Sequence, residues 1–147
     1  MRRLFIPWKS FSRGSPLRTC MGKRLWGARS VMSSPNPPYC PDEGDLIWIN
    51  FDPQAGREQA GRRPALVLTP RQYNQSTRLC ILCPVTTQVK GYPFEVVVNG
   101  AGKTRGAVLA DHIKSASWTD RAAEFIEMAD PAVLADVRAK LKPILKI

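Results

Sequence analysis

Short apolar runs alternate with polar segments rich in Gly, Pro and Asn between Gly44 and Ala129 of this chain. The runs are enriched in Val, Ile, Leu, Phe and Trp, which is the pattern of a small β-barrel. It predicts strands at 45–51, 64–69, 78–86, 93–98, 106–118 and 122–128, the fifth of them bent or broken near Asp111. Residues Asn99–Gly102 supply a turn, because they tolerate positive φ.

A helix is predicted at the C-terminal end of the chain. Asp130 followed by Pro131 is typical of an N-cap with proline in the first turn, and the helix extends to about Leu145. One apolar stripe runs along it, formed by Val133, Leu134, Val137, Leu141, Ile144 and Leu145. We expect the stripe to cover the barrel or a partner subunit, and Pro143 to kink the last turn. The predicted fold is therefore mainly β, with one terminal helix.

The formal charge of +10 is unevenly distributed. Residues 1–38 carry eight basic side chains and no acidic one, so residues 39–147 hold fourteen basic and twelve acidic side chains. The basic pI therefore describes the leader and does not by itself predict RNA binding by the domain. We expect residues 1–38 to be a disordered leader, either a transit-like segment or an over-extended start before Met32.

The sequence does not favour a membrane protein or a metal-binding protein. No run of about eighteen apolar residues is present, so no membrane span is expected. Cys80 and Cys83 would point to opposite faces of a strand, and no further Cys or His cluster completes a metal site. We therefore expect core packing for both cysteines, no metal or cofactor, and a reducing cytoplasm as the location.

The segment Gly56–Pro64 places several polar and charged side chains between two apolar strands. It contains one carboxylate, one amide and three guanidinium groups, and burial of the flanking strands would fix both of its ends. Further along the chain lie Thr86-Thr87-Gln88 and Lys90–Phe94. Together with Tyr39–Asp45 and Gly106–Ser115, these segments resemble the MazF/PemK family of toxin endoribonucleases over about three quarters of the chain.

The resemblance implies a fold and a function. The implied fold is an SH3-like, plasmid-toxin type barrel that forms a homodimer. The implied function is metal-independent, sequence-specific cleavage of single-stranded mRNA, leaving 2′,3′-cyclic phosphate and 5′-hydroxyl ends. Such a toxin would inhibit translation and growth, and a cognate antitoxin would cover its RNA groove.

The family's catalytic residues align with Glu58, Arg63 and Thr86. Glu58 would be the general base, Arg63 the phosphate ligand and charge stabiliser, and Thr86 a hydrogen-bond donor to the scissile phosphate. The basic residues near Glu58 would keep its carboxylate ionised. Pro64 favours an extended backbone at Arg63. The RNA-binding residues expected around these three are Arg57, Gln59, Arg62, Thr87, Gln88, Lys90 and Tyr92.

Each of these assignments has an alternative. The charges around Glu58 could form only a solvated surface network. His112 is the sole histidine and has no partner for acid–base catalysis, so a structural role is expected. Trp48 is expected in the core, whereas Tyr92, in a polar loop, is the better candidate for base stacking. At the level of function, the alternatives are a gyrase-poisoning toxin that only binds and an inactive RNA-binding module.

Overall fold

A curled antiparallel sheet forms the body of residues 39–53, 55–98 and 102–147, which are the residues that the computed structural model describes. The predicted leader 1–38 and most of the predicted turn, residues 99–101, lie outside them. The strands are β1 (Asp45–Asn50), β2 (Arg62–Val67), β3 (Leu79–Thr86), β4 (Glu95–Val98), β5 (Gly106–Leu109), β6 (Lys114–Ser117) and β7 (Glu124–Met128). The helices are α1 (Arg71–Thr77) and α2 (Pro131–Leu145).

The sheet order is β4-β5-β3-β2-β1-β7, and β6 also pairs with β3. β5 pairs with the end of β3, and β6 pairs with its start. A single 3-10 turn, Ala110–His112, separates β5 from β6. The segment 106–118 is therefore one bent strand broken at Asp111, as predicted. The half-barrel confirms the predicted fold class.

Alternation along the strands gives the sheet two apolar faces. On one face, Leu46, Leu66 and Cys83 pack with Val137 and Leu141 of α2. On the other face, Ile47, Val67, Cys80 and Leu82 form a second buried cluster, with Trp118 against it. The two cysteines thus lie on opposite faces, as predicted. Burial raises the pKa of both thiols to about 12.

Helix α2 has the predicted bounds. It begins where predicted because the Asp130 side chain accepts a hydrogen bond from the N–H of Ala132 at 2.8 Å. The helix continues through Pro143. Its stripe is only partly covered, since Ile144 and Leu145 are exposed. Among helices in the described residues, none is long and apolar enough to span a membrane.

Two features differ from expectation. Helix α1 was not predicted, because its one buried residue is the polar Asn74. The Asn74 amide donates to the carbonyl oxygens of Pro41 at 2.8 Å and Thr69 at 2.9 Å, which fixes the helix by hydrogen bonds in place of an apolar stripe. The expectation of a core position for Trp48 was wrong, since its side chain is 39% exposed.

Candidate functional site

The loop between β1 and β2 is tied down at its base. The N–H of Phe51 donates to the carbonyl oxygen of Gly61 at 3.0 Å, and the N–H of Gly61 donates to the Asp52 carboxylate at 2.8 Å. The tip, residues 55–58, is exposed. The loop therefore presents the charged side chains of Arg57 and Glu58 to solvent above a hydrogen-bonded base.

Alternation along β2 sends its two arginines to different places. Arg63 pairs with Ile49 in the extended backbone predicted for it. Its Nε donates to the carbonyl oxygen of Ala60 at 2.8 Å, and its Nη1 donates to Oε1 of Gln59. The Arg62 guanidinium instead forms an ion pair with Glu124 of β7 at 2.8 Å. The structure therefore fixes the Arg63 guanidinium beside the loop and separates Arg62 from it.

The segment after β3 is shaped by one carboxylate. Oε2 of Glu95 accepts hydrogen bonds from the backbone N–H groups of Lys90, Gly91 and Tyr92 at 2.9–3.2 Å. The Tyr92 ring packs edge-on against Phe94, with ring centroids 5.5 Å apart. Tyr92 is 46% exposed, so part of its ring is accessible to a ligand. Glu95 thereby sets the loop conformation that presents Lys90 and Tyr92.

Two adjoining cavities open between these loops and the 3-10 turn. The larger, of about 980 Å³, is lined by polar and basic groups. Those relevant to the expected site are Arg57, Gln59, Arg63, Thr86, Thr87, Gln88, Lys90 and Tyr92. The smaller cavity, of about 480 Å³, has an apolar wall that includes Phe51, Pro84 and Ile113. Both volumes are in the range of ligand sites.

Glu58 lines the smaller cavity and is absent from the walls of the larger one. Its carboxylate lies 3.2 Å from Nζ of Lys114, on β6. Its ion-pair partner is therefore Lys114, where the sequence had suggested the neighbouring arginines. The Glu58 side chain is 55% exposed, so the pair is held weakly and the carboxylate can reorient.

Four residues form the wall shared by the two cavities: Arg57, Gln59, Asp111 and His112. Oδ1 of Asp111 is buried and has no hydrogen-bond partner among the described residues. Oδ2 lies 3.9 Å from Nε2 of His112, which is beyond hydrogen-bond distance. An unsatisfied buried acceptor costs about 1–3 kcal/mol.

Within the described residues, no group of three or more His, Cys, Asp and Glu side chains is arranged to hold a metal ion. The chemical groups that converge on the cavities are guanidinium, ammonium, hydroxyl, amide and carboxylate. This set can bind a phosphodiester and move a proton.

Comparison with known proteins identifies the family. A family model described as the PemK-like, MazF-like toxin of type II toxin–antitoxin systems matches residues 42–145. The chain belongs to this family. The endoribonuclease toxin MazF of Escherichia coli K12 is 49% identical over 107 residues, which cover 73% of this chain and 96% of that protein. Endoribonuclease PemK of E. coli is 32% identical over 108 residues, covering 71% of this chain and 81% of that protein.

Solved structures agree with the family. MazF from Deinococcus radiodurans has a TM-score of 0.72 and 53% identity, covering 74% of this chain and 99% of that chain. A MazE–MazF structure from the same organism has a TM-score of 0.66 and 48% identity, covering 74% of this chain and 98% of that chain. By family and by identity, the chain is an endoribonuclease toxin of the MazF type.

The ten site residues predicted from the sequence fall into three groups according to the cavity that each one lines. Eight of the ten residues line the larger cavity, including Arg63 and Thr86. Glu58 lies in the adjoining cavity, and Arg62 lies in a separate one with Asp120 and Arg121. Asp111, His112 and Lys114 were not predicted as site residues. The predicted break of the strand near Asp111 was the signal that could have identified them, because a break places polar side chains opposite the end of β3.

Proposed function

We propose that this MazF-type toxin cleaves single-stranded mRNA in the larger cavity, without a metal, and leaves 2′,3′-cyclic phosphate and 5′-hydroxyl ends. The observation that carries the proposal is the meeting of Arg63 and Thr86 in one polar cavity with Arg57 and Lys90. Two neighbouring strands supply a fixed guanidinium and a hydroxyl, and the loops add two cations. A phosphodiester is the ligand that this set fits.

The proposed roles follow from the contacts. Arg63, already oriented by Ala60 and Gln59, binds the scissile phosphate and stabilises the charge that develops on it. Thr86 donates a hydrogen bond to the same phosphate. The exposed Glu58 turns from Lys114 toward the 2′-hydroxyl and accepts its proton. The 2′-oxygen then bonds to phosphorus, the bond from phosphorus to the 5′-oxygen breaks, and that oxygen takes up a proton.

The remaining expected RNA-binding residues have two different environments. Gln59, Thr87, Gln88 and Tyr92 share the larger cavity and are proposed to hold the RNA by hydrogen bonds and stacking. Arg62 is paired with Glu124 outside it, so any contact with RNA would be to the strand beyond the cleavage site. We expect Arg62→Ala to weaken binding of all RNA sequences equally, with a lower salt dependence, and to leave the cut position unchanged.

The test is cleavage of a defined RNA by the purified chain in excess chelator, with analysis of the product ends. Cyclic phosphate ends are expected. Arg63→Ala should reduce the cleavage rate by a factor of 100 or more, on the order of an oxyanion-stabilising group. Arg71→Ala is the matched control, because Arg71 is an exposed arginine on α1 that pairs with Asp42. Loss of cleavage on chelation, or full activity of Arg63→Ala, would refute the proposal.

The biological setting is also proposed. The D. radiodurans relative has been solved together with MazE. We expect this chain to form a homodimer in the cytoplasm and to be inhibited by a cognate antitoxin whose extended segment covers the RNA cleft. The rival function, a gyrase poison that only binds, has no support from the relatives, which are named endoribonucleases. Cyclic phosphate ends would exclude it and the inactive RNA-binding module alike.

A further inference from the structure

The connection between β6 and β7, residues 118–123, contacts the stem of the β1–β2 loop, residues 50–52, where the chain leaves β1. Nη1 of Arg121 donates hydrogen bonds to the carbonyl oxygens of Asn50 and Asp52, both at 2.8 Å. The carbonyl oxygen of Arg121 accepts a hydrogen bond from the N–H of Asn50 at 3.3 Å. Arg121 therefore binds the stem with its backbone and with its side chain.

A series of hydrogen bonds leads from the stem to the guanidinium of Arg63. The Asp52 carboxylate accepts from the N–H of Gly61 at 2.8 Å, which fixes the returning side of the loop. The residue before it, Ala60, accepts at its carbonyl oxygen from Nε of Arg63 at 2.8 Å. Coupling between distant groups is carried by such chains of contacts. The position of Asp52 therefore influences the orientation of the Arg63 guanidinium.

The surroundings of Arg121 favour this role over a direct contact with RNA. Its side chain lines the separate cavity of about 310 Å³ and is absent from the walls of the larger cavity. The carboxylates of Asp52 and Asp120 line the same separate cavity. An RNA phosphate there would be repelled by both of them. The ligands of the Arg121 guanidinium are therefore the two backbone carbonyl groups of the stem.

We infer that Arg121 is a positioning residue for RNA cleavage, which fixes the stem and, through Asp52 and Gly61, orients the guanidinium of Arg63. This inference rests on the proposed function. Without the Arg121 side chain, the two stem carbonyl groups lose their donor and the stem gains conformational freedom. Stabilisation of the charge on a scissile phosphate requires a donor at a fixed place, and a displacement of about 1 Å can lower the rate by about 100-fold.

The test is steady-state cleavage of a defined RNA in excess chelator, with three variants compared under conditions where each is folded. Arg121→Met keeps a long side chain but removes the donors. Arg121→Lys keeps an ammonium group that can donate to both carbonyl oxygens. Arg138→Met is the matched control, because Arg138 also donates to a backbone carbonyl, that of Leu68 at 3.2 Å, yet is absent from the walls of both site cavities.

Arg121→Met should lower kcat by about 10- to 100-fold and leave KM near the wild-type value, because the bound phosphate meets a misplaced guanidinium. Arg121→Lys should recover most of this loss, and Arg138→Met should keep the wild-type kcat. Hydrogen exchange measured by NMR should be faster at the N–H of Gly61 in Arg121→Met and unchanged in Arg138→Met. A raised KM with unchanged kcat would indicate that Arg121 touches the RNA, and would overturn the inference.

A double-mutant cycle tests whether Arg121 acts through Arg63. In the Arg63→Ala background, Arg121→Met should cause no further loss of kcat, because no guanidinium is left to orient. A residue that supports the fold in a general way would lower kcat by the same factor in both backgrounds. That result would overturn the inference.

The outcomes separate the two proposals. If the wild-type chain cuts RNA, yet Arg121→Met keeps the full kcat or the wild-type exchange at Gly61, the inference about Arg121 is refuted and the nuclease proposal stands. If the wild-type chain cuts no RNA, both proposals fail.

Discussion

Replacing Gly106 with alanine is the sharpest test of how the sheet supports the site. Gly106 opens β5 with a φ of 136°, a conformation that residues with side chains rarely adopt. A Cβ atom there would lie 2.1 Å from the carbonyl oxygen of Thr86 and 2.9 Å from its carbonyl carbon. Both are backbone atoms, so no side-chain rotation relieves the clash. Either β5 or the end of β3 must move.

The expected loss has two parts. A strained backbone conformation costs about 1–3 kcal/mol. Forcing extra volume into a packed site costs about 1–3 kcal/mol. The free energy of unfolding should therefore fall by about 2–6 kcal/mol, a large share of the 5–15 kcal/mol typical of a domain. Because the clash falls on Thr86, RNA cleavage should also decrease under conditions where the variant is folded.

The assay is urea unfolding followed by tryptophan fluorescence, with Gly56→Ala as the matched control. Gly56 also has positive φ, at 60°, but no heavy atom lies within 4 Å of an added Cβ. Its variant pays only the cost of the left-handed conformation, about 1–2 kcal/mol. If Gly106→Ala were no less stable than Gly56→Ala, the close approach of β5 to Thr86 would be contradicted.

Three further predictions concern the fold. The backbone N–H of Thr104 donates to the Glu127 carboxylate and is the main cause of its lowered pKa, so the ionised carboxylate stabilises the fold above the unfolded pKa of about 4.3 and this stabilisation is lost at lower pH. Glu127→Gln should therefore be less stable than the wild type at pH 7 and equally stable at acid pH. A stability difference that does not change with pH in urea unfolding would contradict this. Asn74→Ala removes three hydrogen bonds of a buried side chain and should cost about 2–4 kcal/mol in the same assay, whereas an unchanged midpoint would show that α1 is held by other contacts. Cys80 and Cys83, with pKa values raised by burial, should resist alkylation at pH 8 until urea unfolds the chain, as mass spectrometry can measure, and rapid labelling of the native chain would contradict their burial.

The strands and α2 could be predicted because their signals are local. Apolar runs separated by turn residues identified the strands, and the pair Asp130-Pro131 fixed the start of α2. Helix α1 could not be found in this way. Its anchor is the polar Asn74, which shares two hydrogen bonds with Thr69 and donates a third to Pro41, a residue that only folding brings close.

The candidate site was predictable only in part. The sequence grouped Arg62 with Arg63, although strand alternation alone sends neighbouring side chains to opposite faces. The ion pair between Glu58 and Lys114 joins residues far apart in the chain, so no local pattern reveals it. The division into two cavities depends on how the 3-10 turn sits opposite β3, which is a tertiary feature.

Pro84 explains why a site can form at the centre of this sheet. It lies inside β3, a central strand, where a proline is normally excluded because it cannot donate to the ladder. The strand beside it is broken: Val85 pairs with β5 and Leu82 pairs with β6, and the 3-10 turn lies between these two pairs. A missing donor is tolerated opposite such a break. The break also frees Asp111 from the ladder, so its side chain and Pro84 together line the smaller cavity. Pro84 in β3 and the 3-10 turn opposite it therefore belong to one interruption in the pairing, and the smaller cavity opens at this interruption.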